Sequence, residues 1–296
     1  MHIEHFAAII ITHMPSVDIV SKVNRIFAQG VTEVIIVDNT PDDRFFSALS
    51  FGLFDHMPQV IRNKKNLGVA RALNQGMEMA QQFGYKWVVA FDQDSTVVVD
   101  FFLRMAQVYN RISSSTGRLI AVLGPNYIDQ VLHRPAYAVD LAVEAMEVLD
   151  VITSGSLLSV EVFSASGGFD EKLFIDMVDT EYCFRVRQAG YSVWRTSEPL
   201  MEHSVGRLTP RGFLGLRFNV TNHLPQRRYY IFRNTLYMVW KYKYYDPQWA
   251  LKMLVNYLPK VFIKACVFET KRWQNFQYIL RGTRDAFLSR YDRNYL

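Results

Sequence analysis

Asp92 and Asp94 flank a single glutamine, Gln93, directly after the apolar run Trp87-Val-Val-Ala-Phe91. Two carboxylates one residue apart at a strand end can face one site if the chain turns there. Such a pair supplies the oxygen ligands that a hard cation, Mg²⁺ or Mn²⁺, shares with substrate phosphates. The cation then neutralises charge on a departing phosphate group. The spacing alone is common in proteins, and its place after a strand is what gives it weight. A second acidic cluster, Asp176, Asp179 and Glu181, lies farther along the chain. Asp179 falls at or near a helix start, where it is either a cap or a general base. A low carboxylate pKa, lowered further by the helix dipole, keeps it ionised at neutral pH and able to accept a proton from an attacking hydroxyl. His203 follows the last strand of this half, and a neutral imidazole there ligates metal or meets phosphate.

Two more polar pairs, Thr12-His13 and Asp38-Asn39, also end apolar runs. The segment Asn66-Leu-Gly-Val-Ala-Arg-Ala-Leu-Asn74 joins a turn, Gly68 and a helix start. Its two readings are a phosphate-binding helix N-terminus assisted by Arg71, and a capped helix whose Ala70 and Ala72 permit close packing on a sheet.

The elements that must position these residues alternate in type. Strands are expected over 6–12, 33–37, 59–62 and 87–91, with helices over 17–29 and 68–83. That rhythm predicts an α/β fold with a mostly parallel sheet covered on both faces. Ligands in such sheets sit beyond the carboxyl ends of strands, where three of the polar clusters fall. Beyond residue 119 the pattern is less regular: strands at 121–123 and 147–152, a turn at Ser154-Gly155-Ser156, a short helix over 160–165, a turn at 167–170, a helix through Ala189, and closing strands at 192–194 and 200–203. From His223 the chain reads as helical, interrupted at Pro247 and Pro259.

The 296 residues are 50% apolar and 14% aromatic, which excludes general disorder and low-complexity classes. Two cysteines give no disulfide framework and no zinc spacing. The N-terminal segment lacks the pattern of a secretory signal and no run is apolar enough to span a bilayer, so a cytoplasmic location is expected. The net charge of +5 is unevenly divided: residues 1–203 carry −8, whereas residues 204–296 carry 17 Lys+Arg against 4 Asp+Glu and 20 of the 42 aromatics. A basic aromatic segment of this kind points to a peripheral contact with anionic lipid. Nucleic acid is not expected as a partner, because no binding motif accompanies the charge.

Val37-Asp-Asn-Thr40, Asn66-Leu-Gly-Val-Ala-Arg-Ala-Leu-Asn-Gln-Gly76 and Phe91-Asp-Gln-Asp-Ser95 resemble the family-2 inverting glycosyltransferases of GT-A fold. Asp-Gln-Asp-Ser, with Phe174-Ile-Asp-Met-Val-Asp-Thr-Glu-Tyr-Cys183 and Arg227-Arg-Tyr-Tyr-Ile-Phe-Arg-Asn234, is similar to the dTDP-rhamnosyltransferases of bacterial surface-polysaccharide (O-antigen) assembly. The resemblance covers residues 6 to about 240. It implies a Rossmann-like nucleotide-diphospho-sugar transferase domain over 1–210, with a nucleotide-sugar half at 1–118 and an acceptor half at 119–210. A helical, membrane-associating extension follows over 211–296.

The resemblance also implies roles. Thr12 and His13 lie beside the nucleoside, Asp38 with Asn39 contacts base or ribose, and the segment holding Asn66, Gly68, Arg71 and Asn74 closes over the nucleotide. Asp92 meets ribose or metal, Gln93 the sugar-nucleotide, and Asp94 the metal bridging the diphosphate, which His203 also approaches. Asp179 matches the family's base, although Val178 replaces the preceding acid and Glu181 stands as the final one. That departure leaves Asp176 as a rival or helper. The implied reaction is transfer of L-rhamnose from dTDP-β-L-rhamnose to a glycan hydroxyl, by a metal-dependent single displacement. The acceptor is expected on a polyprenyl diphosphate, at the cytoplasmic face of the inner membrane. Competing expectations are a UDP-sugar donor (galactofuranose or an N-acetylhexosamine), and a non-catalytic membrane-docking module. A sugar-phosphate nucleotidyltransferase should carry a Gly-rich basic loop after the first strand, where this chain has Thr12-His-Met-Pro15.

Overall fold

A computed structural model describes residues 5–16, 18–42, 53–140, 142–203, 209–213 and 216–296. Its chain falls into two units, one of residues 1–171 and 178–203, the other of residues 172–177 and 204–296.

The first unit is built on Ala7–Thr12 (β1), six consecutive buried residues whose run of isoleucines suits a strand covered on both faces. Glu33–Asp38 (β2) and Trp87–Asp92 (β4) flank it in parallel, and Gln59–Arg62 (β3) extends the parallel set beyond β2. Between them run the helices Asp18–Phe27 (α1) and Val69–Gln82 (α2). α1 begins within the expected span; Val17 lies outside the described residues. α2 approaches β1 so closely that a Cβ on Gly76 would come within 2.8 Å of the Ile9 side chain. Small residues on this helix therefore set the helix–sheet distance.

The second half of the sheet is mixed. Thr96–Val97 (β5), Ile120–Asp129 (β6), Arg134–Pro135 (β7), Ala145–Glu147 (β8), Ser156–Ser159 (β9) and Ser192–His203 (β10) complete it. The spatial order is β3-β2-β1-β4-β9-β6-β10-β5, with β7 on β6 and β8 on β10. β9 runs antiparallel between β4 and β6, and β10 runs parallel to β6. The sheet is thus mostly parallel and flanked by helices, which include Phe101–Thr116 (α3), Val160–Ser166 (α4) and Val178–Gln188 (α5). α3 was not among the expected helices, although Phe101, Phe102, Met105, Ala106, Tyr109 and Ile112 form its buried face at helical spacing.

Two expectations are corrected here. The strand expected over 147–152 stops at Glu147: Val151 instead packs into the space left by Gly124, where a Cβ would come within 2.5 Å of it. The two expected closing strands are one. β10 passes through Pro199, which stands opposite Asn126 between two register shifts.

In the second unit, Thr209–Phe213 (β11) and Leu216–Val220 (β12) form an antiparallel hairpin that the helical expectation missed. Pro225–Tyr242 (α6) packs along Arg272–Phe287 (α9), and an added Cβ at Gly282 would collide with the Tyr229 carbonyl. Between them lies one helical run: Pro247–Lys252 (α7), a π-type turn over Met253–Tyr257, Leu258–Ile263 (α8), and a second π-type turn over Lys264–Phe268. The expected interruption at Pro247 is present: α6 ends at Tyr242, and α7 opens at Pro247 behind the capping carboxylate of Asp246. The expected interruption at Pro259 is not, because the wider π turn before it takes up the missing N–H and the ring's bulk. Among the described residues, no helix is long and apolar enough to cross a membrane.

Candidate functional site

The parallel pairing of β1 and β2 sets Thr12 beside Asp38. The Asp38 carboxylate is fully buried; its Oδ1 accepts from the hydroxyls of Thr12 (2.8 Å) and Thr40 (2.7 Å). Its Oδ2 has no hydrogen-bond partner among the described residues. A buried carboxylate oxygen without a donor is costly, and an N–H from a ligand would satisfy it. Asn39 is committed to the protein: its amide donates to the Gly68 carbonyl (3.1 Å) and its oxygen accepts from Asn63 (2.9 Å). Asn66 accepts from the Gly68 N–H (3.0 Å), and Gly68 takes φ +85°, so these two residues shape the loop leading into α2.

On α2, Asn74 exchanges hydrogen bonds with the backbone of Phe169 and donates to Glu171, which also pairs with Arg71 at 2.9 Å. Both side chains thus hold the helix to the 167–171 turn, the packing alternative left open by the sequence. His13 is exposed, and its backbone N–H donates to Gln93 Oε1 (2.9 Å), which ties the loop after β1 to the loop after β4. Lys22, which the sequence reading overlooked, donates to the Gln93 carbonyl from α1. Burial lowers the Lys22 pKa, opposed by the charges of Asp94 and Asp18.

At the end of β4, Asp92, Asp94 and His203 place one ligand atom each within 4.8 Å of one another. The antiparallel pairing of β5 with the end of β10 brings the histidine there. His203 Nδ1 lies 3.2 Å from the Ser95 hydroxyl, and its ring stands edge-on to Tyr127. Burial lowers its pKa, more than Asp94 and Asp129 raise it, which favours the neutral imidazole that a metal requires. Ser154 braces the loop, bonding Ser95 and accepting from the Asp92 N–H (3.1 Å). Two carboxylates and a neutral imidazole are a donor set suited to Mg²⁺ or Mn²⁺.

Asp179 is the second residue of α5. Its surface is part-accessible, yet protein surrounds it densely enough to push its pKa up to about 7. Burial is the main cause, Asp150 adds to it, and Asp92 contributes further. The expectation of a pKa lowered by the helix dipole is therefore corrected, because burial and neighbouring acids outweigh one helix end. Asp150, also unforeseen, accepts from the Thr180 hydroxyl at 2.8 Å. Nearby, the guanidinium of Arg195 lies 3.6 Å above the Tyr137 ring, whose hydroxyl pKa is raised by burial and by Asp150.

Glu181 is fully buried and grips Arg185 through both oxygens at 2.9 Å, as a structural pair. Asp176 belongs to the second unit, where Arg227 engages it from two nitrogens (2.9 and 3.2 Å). Residues 204–206 of the segment containing His203 lie outside the described residues.

Strand-end carboxylates, a histidine and a high-pKa aspartate thus gather on the mixed sheet of the first unit. The chain belongs to glycosyl transferase family 2, whose sequence profile matches residues 8–166. It is 27% identical over 247 residues to the dTDP-rhamnosyl transferase RfbF of Shigella flexneri, covering 79% of each chain. Its fold is similar to that of S. aureus TarS 1-349 in complex with UDP-GlcNAc (TM-score 0.56, 11% identity, 98% of this chain and 93% of that one). It is also similar to GalNAc-T7 with UDP, GalNAc and Mn²⁺ (TM-score 0.55, 13% identity, 96% and 56%). The chain spans 44% of a longer S. aureus TarS structure.

Proposed function

We propose that this glycosyltransferase moves L-rhamnose from dTDP-β-L-rhamnose to a hydroxyl of a glycan acceptor, with inversion at the anomeric carbon. The acceptor is carried on a polyprenyl diphosphate at the cytoplasmic face of the inner membrane. The observation that carries the chemistry is the pairing of Asp179, with a pKa of about 7, and the acids at the end of β4, close enough for Asp92 to perturb it.

Asp38 Oδ2 accepts the N3–H of the pyrimidine, the donor its burial calls for. Thymine and uracil both present that group, so the choice of dTDP rests on the likeness to RfbF. Asp92, Asp94 and His203 would hold Mg²⁺ or Mn²⁺ beside the diphosphate, where the ion offsets charge on the leaving group. Asp179 removes the acceptor hydroxyl's proton as its oxygen attacks the anomeric carbon and the bond to the diphosphate breaks. A carboxylate with pKa near 7 is a stronger base than an ordinary one yet is substantially ionised at neutral pH. Asp150 sustains that pKa.

Incubation with a panel of nucleotide-sugars, scored by released nucleotide, tests the donor. Release from dTDP-rhamnose with greater thermal stabilisation by dTDP than by UDP is expected. The reverse preference contradicts the rhamnose assignment.

A further inference from the structure

The helical run over 247–268 is two-faced in an unusual way. One side, with Leu258 and Ala265, packs into an apolar cluster with Ile231, Phe232 and Ile279. The opposite side is also apolar but open: Leu251, Val255, Ile263 and Val267 are 59, 65, 50 and 47% exposed. These positions, with exposed Pro259, recur every fourth residue. In a regular α-helix such a stripe drifts around the axis by roughly 40° per step. The two π-type turns at 253–257 and 264–268 are underwound and offset that drift, which keeps the stripe on one side.

Charge around the stripe has one sign. Residues 247–268 contain Lys252, Lys260 and Lys264 and no acid. Of the four acids in residues 204–296, Glu269 and Asp285 are buried, and Asp246 caps α7. Each lysine follows a stripe residue by one position, so the cations line one flank of the stripe, with little to neutralise them.

The geometry points to this stripe as a bilayer-docking face: the run lies in the plane of an anionic lipid surface, with the Leu251–Val267 stripe among the acyl chains and Lys252 and Lys260 at the headgroups. An apolar face rimmed by lysines is what an interfacial helix requires, and the charge selects a lipid surface over an uncharged protein partner. The inference gives a location to the membrane contact in the proposed function but is independent of the donor and the reaction.

Flotation of the full chain with phosphatidylcholine vesicles, with and without phosphatidylglycerol, tests it without donor or acceptor. Binding to the anionic vesicles, weakened by salt, is expected. Val255→Ser with Ile263→Ser should cut partitioning at least about tenfold, and Lys252→Gln with Lys260→Gln should cut the anionic preference about thirtyfold. All four positions are exposed, so melting temperatures should match the parent. Absence of binding, equal binding to both vesicle types, or binding that survives the double serine change would overturn it. So would a concentration-dependent dimer, or a nucleic-acid complex, that the serine changes abolish in place of vesicle binding. Any of these leaves the transferase assignment standing.

Discussion

Asp150 and Asp179 share one neighbour: the Thr180 hydroxyl donates to Asp150 Oδ2 at 2.8 Å, and the Thr180 N–H donates to Asp179 Oδ1 at 2.9 Å. Two acids held on one residue, one of them deeply surrounded, cannot both ionise without cost. The Asp150 charge raises the Asp179 pKa beyond what burial alone achieves, and the Thr180 N–H partly opposes it.

The pH dependence follows with a definite sign. The base works deprotonated, and its pKa is raised to about 7. The rate should therefore fall about tenfold per unit as pH drops well below that value. Asp150→Asn removes a charge that raises the pKa, so the acidic limb of kcat/KM should move to lower pH. The move should be smaller than the whole shift, because burial is the larger cause. A pH profile unchanged by Asp150→Asn contradicts the coupling.

Chelation should abolish transfer, and added Mg²⁺ or Mn²⁺ should restore it. Asp94→Ala should weaken nucleotide binding and remove its metal dependence, since the set Asp92, Asp94 and His203 loses a charged ligand. Calorimetry of dTDP with and without metal checks this, and affinity in Asp94→Ala that still responds to metal would relocate the ion.

Asp38→Asn keeps the shape of the nucleoside end and alters its charge. With Oδ1 occupied by Thr12 and Thr40 and Oδ2 open, an amide leaves either a threonine or the pyrimidine N3–H without its acceptor. Nucleotide affinity should fall by about tenfold to a hundredfold, from a loss of about 1.5–3 kcal/mol, measured by equilibrium binding of dTDP. Unchanged affinity would place the base elsewhere.

Gly68 adopts φ +85° immediately before α2. Gly68→Ala should cost about 1–3 kcal/mol, visible as a lower melting temperature, together with weaker nucleotide binding as the Asn66–Gly68 loop shifts. Parent-like melting and binding would show that the loop tolerates a side chain.

Much of this frame is written locally. β1, β2 and β4 are continuous apolar runs, and their polar ends mark the edge of the sheet, so Thr12, Asp38, Asp92 and Asp94 were legible from position alone. His203 was legible as a strand end. Asp150 was not, because it lies inside a run read as strand, whereas the strand ends at Glu147 and Val151 packs against Gly124. The Asp179 pKa was misread for a related reason: a helix dipole is visible in sequence, whereas the protein packed around a carboxylate is not. Serines 95 and 154 carry no local signal, since each matters through the other. The run through Pro259 hides because a π turn has no sequence mark comparable to the proline it accommodates.

The most direct measurement is single-turnover transfer by Asp179→Asn with dTDP-rhamnose and acceptor, alongside donor affinity for the same protein. A general base predicts donor binding near the parent value and transfer reduced at least about a hundredfold. Near-normal transfer with intact binding would remove Asp179 from the chemistry.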